Sequence, residues 1–410
     1  MSMIYQTTYK KQVFKLIQGL ILYLVFTPVG LYAQSSKSDT LEVVNWNLEF
    51  FGDTPSDLPE EMSKTLTIMN AIDADIYALV EIVNIDSLAS LVGQMDGDYS
   101  FVVSGYGSLA PSPTSNEYPE AQKLAFVYRN ELVRSVSAQP LLVNSIYAYG
   151  SWSSGRFPFL ISAEVKGHDG IWQWFRFVVI HAKAGSDFQS CARRLSGARE
   201  LKDSLDVHLG ADKVIILGDF NDDFDTTICS SYSKSTFSGF VEDSLDANSW
   251  FSPTLSLSRQ GVSTIYGYNS FIDHVLISNE LKPYYAEASA RVLEAEVNTW
   301  VTQYRQDVSD HYPVITKYRV ATPTGAGPLN TSSAYTIYPN PVADYVTIKH
   351  PHETTVRAEL RDLNSRVVYK GVLKTGVRTE LPNLQDGLYL LILYGKTGSR
   401  TVHKLQVLNR

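Results

Sequence analysis

Short apolar runs recur between residues 40 and 320, and several of them stop abruptly at an acid, an amide or an imidazole. The runs are Leu41–Asn47, Asp75–Val83, Ser100–Ser104, Lys123–Tyr128, Phe157–Lys166, Ile171–His181, Lys213–Phe220, Phe271–Ser278 and Pro313–Val320. Segments of this length, rich in Val, Ile, Phe and Tyr, read as strands. Three other stretches, Glu60–Ile72, Ser87–Met95 and Ser190–Leu209, read as helices. In the third, Leu195, Ala198, Leu201 and Leu205 recur at helical spacing. Asp57 and Asp86 are placed to cap the first two. Ile171–His181 is apolar on both alternating faces, with Trp172, Trp174, Val178 and Ile180 on one and Ile171, Phe175, Phe177 and Val179 on the other. Such a strand belongs at the centre of a sheet covered on both sides. The expectation is one α/β domain over residues 34–320, with two packed sheets and helices outside.

The ends of the chain carry different signals. Lys10, Lys11 and Lys15 precede an apolar stretch, Leu16–Leu31, and Leu31-Tyr32-Ala33 resembles a small-residue cleavage site, so residues 1–33 read as a signal peptide. A membrane anchor is the alternative, but Gly19, Pro28 and Gly30 interrupt the run and polar residues follow from Gln34. No later segment approaches the roughly 18 consecutive apolar residues of a membrane span. Residues 321–334 form a linker by their Gly, Pro, Thr and Ser content. Beyond them, residues 335–410 show short alternating strands (Tyr345–Lys349, Val356–Leu363, Arg366–Leu373, Gly387–Tyr394, Ser399–Val407), with turns at Asn364-Ser365 and Asp386-Gly387. A small β-sandwich is the natural reading.

Charge divides along the same line. The whole chain carries -8; residues 34–339 carry -16, whereas residues 340–410 hold 11 Lys+Arg against 6 Asp+Glu, net +5. An acidic main domain argues against tight non-specific binding to long nucleic acid by charge alone. Cys191 and Cys229 are the two cysteines. In an exported chain they could pair in a disulfide, and two thiols alone could not hold a metal.

The polar groups at the run ends carry the chemistry. Asn47, Glu81, His181, Asp219 and Asn221 close their runs, Asp273 and His274 sit inside one, and Asp310 and His311 precede another. Sheet interiors exclude such groups unless they are paired or bind an ion. Amide and carboxylate oxygens select Mg²⁺, Mn²⁺ or Ca²⁺ over zinc. Imidazoles suit proton transfer or phosphate contact near neutral pH.

At this point a resemblance becomes specific. Asn45-Trp-Asn-Leu-Glu-Phe-Phe-Gly52, Val80-Glu81, Ser154-Gly-Arg-Phe-Pro158, Gly218-Asp-Phe-Asn221, Ile272-Asp-His-Val-Leu-Ile-Ser278 and Ser309-Asp-His-Tyr-Pro313 resemble, in order, the motifs of the endonuclease/exonuclease/phosphatase (deoxyribonuclease I-like) superfamily. The resemblance implies a four-layer α/β/β/α sandwich with two mixed sheets. It implies Mg²⁺ (or Mn²⁺/Ca²⁺) held by Glu81, with Asn47 and Asp310 close to the ion. Asp219 would act on a proton and Asn221 would hold the phosphate. His311, polarised by Asp273, would contact the phosphate or serve as base. His181 would touch the phosphate from the opposite side, and Arg156 would buttress the site or bind phosphate. Val80 stands where the family has Gln, which removes a supporting amide. Phe271 and His274 depart from the patterns of abasic endonucleases and inositol polyphosphate phosphatases, which disfavours both.

A second resemblance covers residues 335–410. Tyr338-Pro-Asn-Pro-Val342, Val346–Ile348 and Gly387-Leu-Tyr-Leu-Leu-Ile-Leu393 resemble a type IX secretion sorting domain of Bacteroidetes. It implies contact with secretion machinery and a secreted or outer-membrane surface location. The leading expectation is a secreted, monomeric, metal-dependent phosphodiesterase acting on DNA or RNA. Two alternatives stand beside it. One is a phosphatase or sphingomyelinase-like phospholipid hydrolase, with Tyr147, Tyr149, Trp152, Trp172 and Trp174 as a membrane-facing edge. The other is an inactive binding protein on the same scaffold.

Overall fold

The computed structural model describes residues 40–54, 58–210, 212–243, 250–320, 335–350, 354–362, 367–394 and 400–408. The signal-peptide segment, the linker, Asp57 and the Asn364-Ser365 turn lie outside the described residues. The larger of two compact units contains β1 (Leu41–Phe51), β2 (Ile76–Ile82), β3 (Tyr99–Gly107), β4 (Lys123–Arg129), β5 (Val133–Pro140), β6 (Phe159–Lys166), β7 (Trp172–His181), β8 (Val214–Asp219), β9 (Asp273–Ile277), β10 (Arg291–Val292) and β11 (Val314–Tyr318). Its helices are α1 (Leu58–Ile72), α2 (Ile85–Gln94), α3 (Ala148–Ser151), α4 (Phe188–His208), α5 (Ser238–Asp243), α6 (Leu255–Arg259), α7 (Glu294–Trp300) and α8 (Tyr304–Asp307).

The strands form two mixed sheets, in the orders β10-β11-β1-β2-β4-β3 and β5-β6-β7-β8-β9. Each contains one parallel pair, β1 with β2 and β7 with β8. Alternation along β1 separates two cores. Val44, Trp46 and Leu48 join Ile68 and Met69 of α1, Leu88 and Leu91 of α2 and Val297 of α7. Leu41 and Val43 join Phe126, Phe159, Phe177 and Ile215 between the sheets. Val178, Ile180 and Ile216 point away from that inter-sheet core and are also buried, as are Ala198, Leu201 and Leu205 of α4. The result is helix, sheet, sheet, helix. Each fully buried Leu, Ile or Phe contributes roughly 1.5–3 kcal/mol by leaving water, and both cores hold many of them.

Three local expectations need correction. Strand β7 is central, but its first half is not covered on both faces, because Trp174 is 50% exposed. The Arg134 and Arg176 guanidinium carbons lie 4.0 and 5.4 Å from the ring centroids of Trp172 and Trp174, so cations cover the rings instead of a helix. Helix α2 is capped by Asn84, whose extended backbone lets its side chain accept from Ser87 N at 3.0 Å; Asp86 lies inside the first turn. Strand β5 was not expected. It is an edge strand with alternating exposed polar residues, which masks its pattern.

The smaller unit contains β12 (Thr336–Tyr338), β13 (Tyr345–Lys349), β14 (Thr355–Arg361), β15 (Val367–Lys374), β16 (Arg378–Glu380), β17 (Gly387–Tyr394) and β18 (Arg400–Val407). They form two antiparallel sheets, β12-β13-β16 and β15-β14-β17-β18, over a shared core of Val346, Ile348, Leu360, Leu391, Leu393 and Leu405. Among the described residues no helix is long and apolar enough to cross a membrane.

Candidate active site

Parallel pairing brings strand ends together. Asn47 of β1 lies in register with Val80, one residue before Glu81, on β2. On the other sheet Asp219 lies in register between His181 of β7 and Asp273 of β9. The two sheets are stapled at this end by Asn45, whose amide donates to Gly218 O at 2.8 Å and His274 O at 3.4 Å. Close approach requires glycine at 218: its φ is +144°, and a Cβ there would stand 1.8 Å from Ile180 O.

The side chains converge across the gap. The Asn47 amide nitrogen donates to Glu81 Oε1 and to Asp219 Oδ2, both at 3.1 Å. Its oxygen is engaged by Glu49 N at 2.9 Å, so that oxygen would face an ion between the two acids only after the amide turned over. His181 Nε2 stands 3.6 Å from Glu81 Oε1 and 3.5 Å from Asp219 Oδ2. His311 Nδ1 pairs with Asp273 Oδ2 at 2.7 Å, while its Nε2 is 3.9 Å from Asp219 and 3.7 Å from Asp310. Asn221 N donates to Asp219 Oδ1 at 2.7 Å, and its amide donates to Ala182 O at 3.3 Å. Glu81 and Asn221 both take positive φ, 64° and 50°. The strand pleat therefore does not set the direction of either side chain, and such backbone is retained where surrounding contacts hold it.

Burial and charge set the protonation states. Burial works against a charged His311, but the Asp273 carboxylate in contact with it, then Asp219 and Asp310, push its pKa up to about 10. Burial, followed by the charge of Asp273, raises Asp219 to about 7. His181 moves the other way: burial, then Arg156 and His311, hold it well below the usual imidazole value. His311 is thus an imidazolium and His181 a neutral ring at neutral pH.

Two sets of ligand atoms lie within 4.8 Å of one another, Glu81/His181/Asp219 and Asp219/Asp273/His311. Four acids converge here, and Asp273 Oδ1 and His181 Nδ1 are buried without a protein partner among the described residues. An excess of buried carboxylate with mostly oxygen donors fits a hard divalent cation.

Arg156 is placed differently from a phosphate ligand. Its five N–H groups all reach protein acceptors: His181 O, Ala182 O, Ser108 Oγ, Gln122 Oε1 and Ser153 Oγ. His274 is also inward. Its Nδ1 meets Thr254 Oγ1 at 3.0 Å and its ring stacks on Phe224, so it packs β9 rather than lining the site. Cys191 and Cys229 are joined across 38 residues, linking the start of α4 to the loop after Asn221. Further supports escaped sequence reasoning. Thr264 Oγ1 accepts from Ile272 N and Asp273 N, and the Tyr304 hydroxyl donates to His311 O. Ser309 Oγ, inside a motif but not singled out, ties Asn47 O to His311 N. Gln122 meets Glu81, and no motif marks it.

Residues 44–311 match the Endonuclease/Exonuclease/phosphatase family. The chain belongs to that family. It is therefore a hydrolase acting on phosphoesters, a class that generally uses a divalent metal. Residues 336–408 match the secretion system C-terminal sorting domain, which marks type IX secreted proteins of Bacteroidetes. No curated protein matches the sequence. Among solved structures, the chain is similar to the human Nocturnin catalytic domain with bound sulfate (17% identity, TM-score 0.46, covering 68% of this chain and 94% of that one). It is also similar to the endonuclease/exonuclease/phosphatase from Beutenbergia cavernae DSM 12333 (15%, 0.46, 89% and 100%). A third is the mannosyl-6-phosphatase of Bacteroides thetaiotaomicron VPI-5482 (14%, 0.43, 68% and 99%).

Proposed function

We propose that this family member is a secreted phosphodiesterase that hydrolyses DNA or RNA with the help of Mg²⁺ (or Mn²⁺/Ca²⁺). The observation that carries the reading is the convergence of Glu81, His181, Asp219 and the Asp273–His311 pair in one cluster drawn from both sheets. Glu81 would hold the cation, with Asn47 beside it once its amide turns and Asp310 on the His311 side. The cation would polarise a phosphate oxygen and offset charge in the transition state. His311, kept protonated by Asp273, donates a hydrogen bond to a phosphate oxygen and stabilises developing negative charge. Asp219, with a pKa raised to about 7, accepts or returns a proton at the attacking or leaving oxygen. Asn221 and the neutral His181 contact the remaining phosphate oxygens. Arg156 acts by positioning: it fixes the His181–Ala182 backbone and leaves no N–H for the phosphate.

A phospholipid substrate is a second reading, favoured by one observation. Ile146 and Tyr147, just before α3, are 85% and 67% exposed and could enter a lipid surface. The test is the full mature chain with Mg²⁺, Mn²⁺ or Ca²⁺ against plasmid DNA, RNA, sphingomyelin vesicles and phosphomonoesters. Nucleic-acid cleavage lost by about 10²–10³ in Glu81→Ala and His311→Ala is expected. Full activity in both variants would refute the site, and cleavage of sphingomyelin alone would replace the substrate.

A further inference from the structure

We propose that Gln122 is a positioning residue for Glu81, its amide fixing the carboxylate in the orientation that receives a divalent cation. The inference rests on the reading of Glu81 as a cation ligand. Val80 leaves the position before Glu81 without an amide. The structure supplies one from another strand. Gln122 immediately precedes β4, whose Lys123 is in register with Ile82 of β2. Its Nε2 donates to Glu81 Oε2 at 2.7 Å.

The orientation of that amide is forced. Gln122 Oε1 accepts from Arg156 Nη1 and from Ser108 Oγ at 3.3 Å. A guanidinium has no acceptor, so a reversed amide would set N–H against N–H. Arg156 is itself anchored to His181 O, at the end of β7, and to Ala182 O just beyond it. The chain of contacts therefore runs from the second sheet, through Arg156 and Gln122, to Glu81 on the first. Glu81 needs such a hold because its backbone is left-handed, with φ of 64°. Its other donors are Phe50 N at 3.2 Å and the Asn47 amide at 3.1 Å. The Asn47 amide must turn over if it is to ligate the ion, which leaves Gln122 as the shortest permanent donor.

Groups that hold a metal ligand from behind typically change metal affinity by about 10–100-fold when removed. The test is Mg²⁺ titration of the full mature chain by calorimetry, with Gln122→Met, which keeps length but removes the N–H. The Mg²⁺ Kd should rise about 10–100-fold. The rate should recover at saturating Mg²⁺. Gln122→Asn, polar but one methylene too short to span Arg156 and Glu81, should weaken binding in the same way and serves if the Met variant does not fold. Glu81→Ala is the control and should abolish the Mg²⁺ signal. A Kd within twofold of wild type in the Gln122 variants, with Glu81→Ala silent, overturns the role of Gln122. Unchanged Mg²⁺ binding in Glu81→Ala overturns the cation reading itself, and the Gln122 inference with it.

Discussion

Replacing Asp273 by Asn should bring the titration of His311 down by at least about 2 units. The two side chains meet at 2.7 Å, both buried, and Asp273 is the leading contributor among the charges that raise His311 to about 10 from its ordinary 6.5. At roughly 1.4 kcal/mol per pKa unit, that rise corresponds to about 5 kcal/mol favouring the imidazolium, shared among Asp273, Asp219 and Asp310. Losing the contacting carboxylate removes the largest share, while the burial that opposes the charge remains. The His311 pKa should then fall by at least about 2 units. Linkage has a definite sign. Because the folded pKa is raised, the stabilisation from charged His311 is fully present below about 6.5 and is lost as pH rises through about 10. In Asp273→Asn that alkaline loss of stability should shrink. Turnover at pH 9 should fall about tenfold or more, because a ring titrating near 8 or below is at most about one-tenth charged there. Histidine ring titration by NMR in the metal-free protein, together with the alkaline limb of kcat/KM, reads both effects. A His311 ring still titrating near 10 in Asp273→Asn would refute the reasoning.

Two other perturbations test the frame and the charge balance. Gly218→Ala should cost about 3–5 kcal/mol, because a Cβ would press on Ile180 O and the residue must keep a positive φ; thermal unfolding should show a Tm lower by about 10 °C. Asp219 binds its proton more tightly folded than unfolded, so without a cation its contribution to stability falls as pH rises from about 4 through about 7. A divalent cation competes with that proton, so the Tm increase on adding Mg²⁺ should be larger at pH 8 than at pH 5, as thermal unfolding at the two pH values would report.

Much of the molecule can be read from local pattern. Short apolar runs locate β1, β2, β7 and β8, because a run of apolar residues bounded by polar ones is visible from neighbours along the chain alone. The polar residues that end those runs are the ones the structure gathers: Asn47, Glu81, His181 and Asp219, with Asp273 and His311 beside them. A side chain that cannot be buried alone betrays itself at the end of an apolar strand. Strand β5 and the cap at Asn84 were less legible. An edge strand such as β5 buries only Val133 fully and so shows little apolar content, and cap choice between Asn84 and Asp86 depends on where the backbone turns helical.

Other properties arise only when distant segments meet. Gln122 carries no motif, and its function depends on β4 lying beside β2 and on Arg156 arriving from the loop before β6. The sequence leaves Arg156 either as a buttress or as a phosphate ligand, and counting its five donors in space makes it a strut. The different charge states of two histidines, one protonated beside Asp273 and one neutral beside Arg156, have no signature in either residue's neighbours along the chain. Local sequence determines chemical type and strand period. Protonation, orientation and reach depend on burial and on charges brought from other elements, Asp273 lying 38 residues from His311 and Arg156 lying 25 from His181, and these contacts exist only after the two sheets have packed.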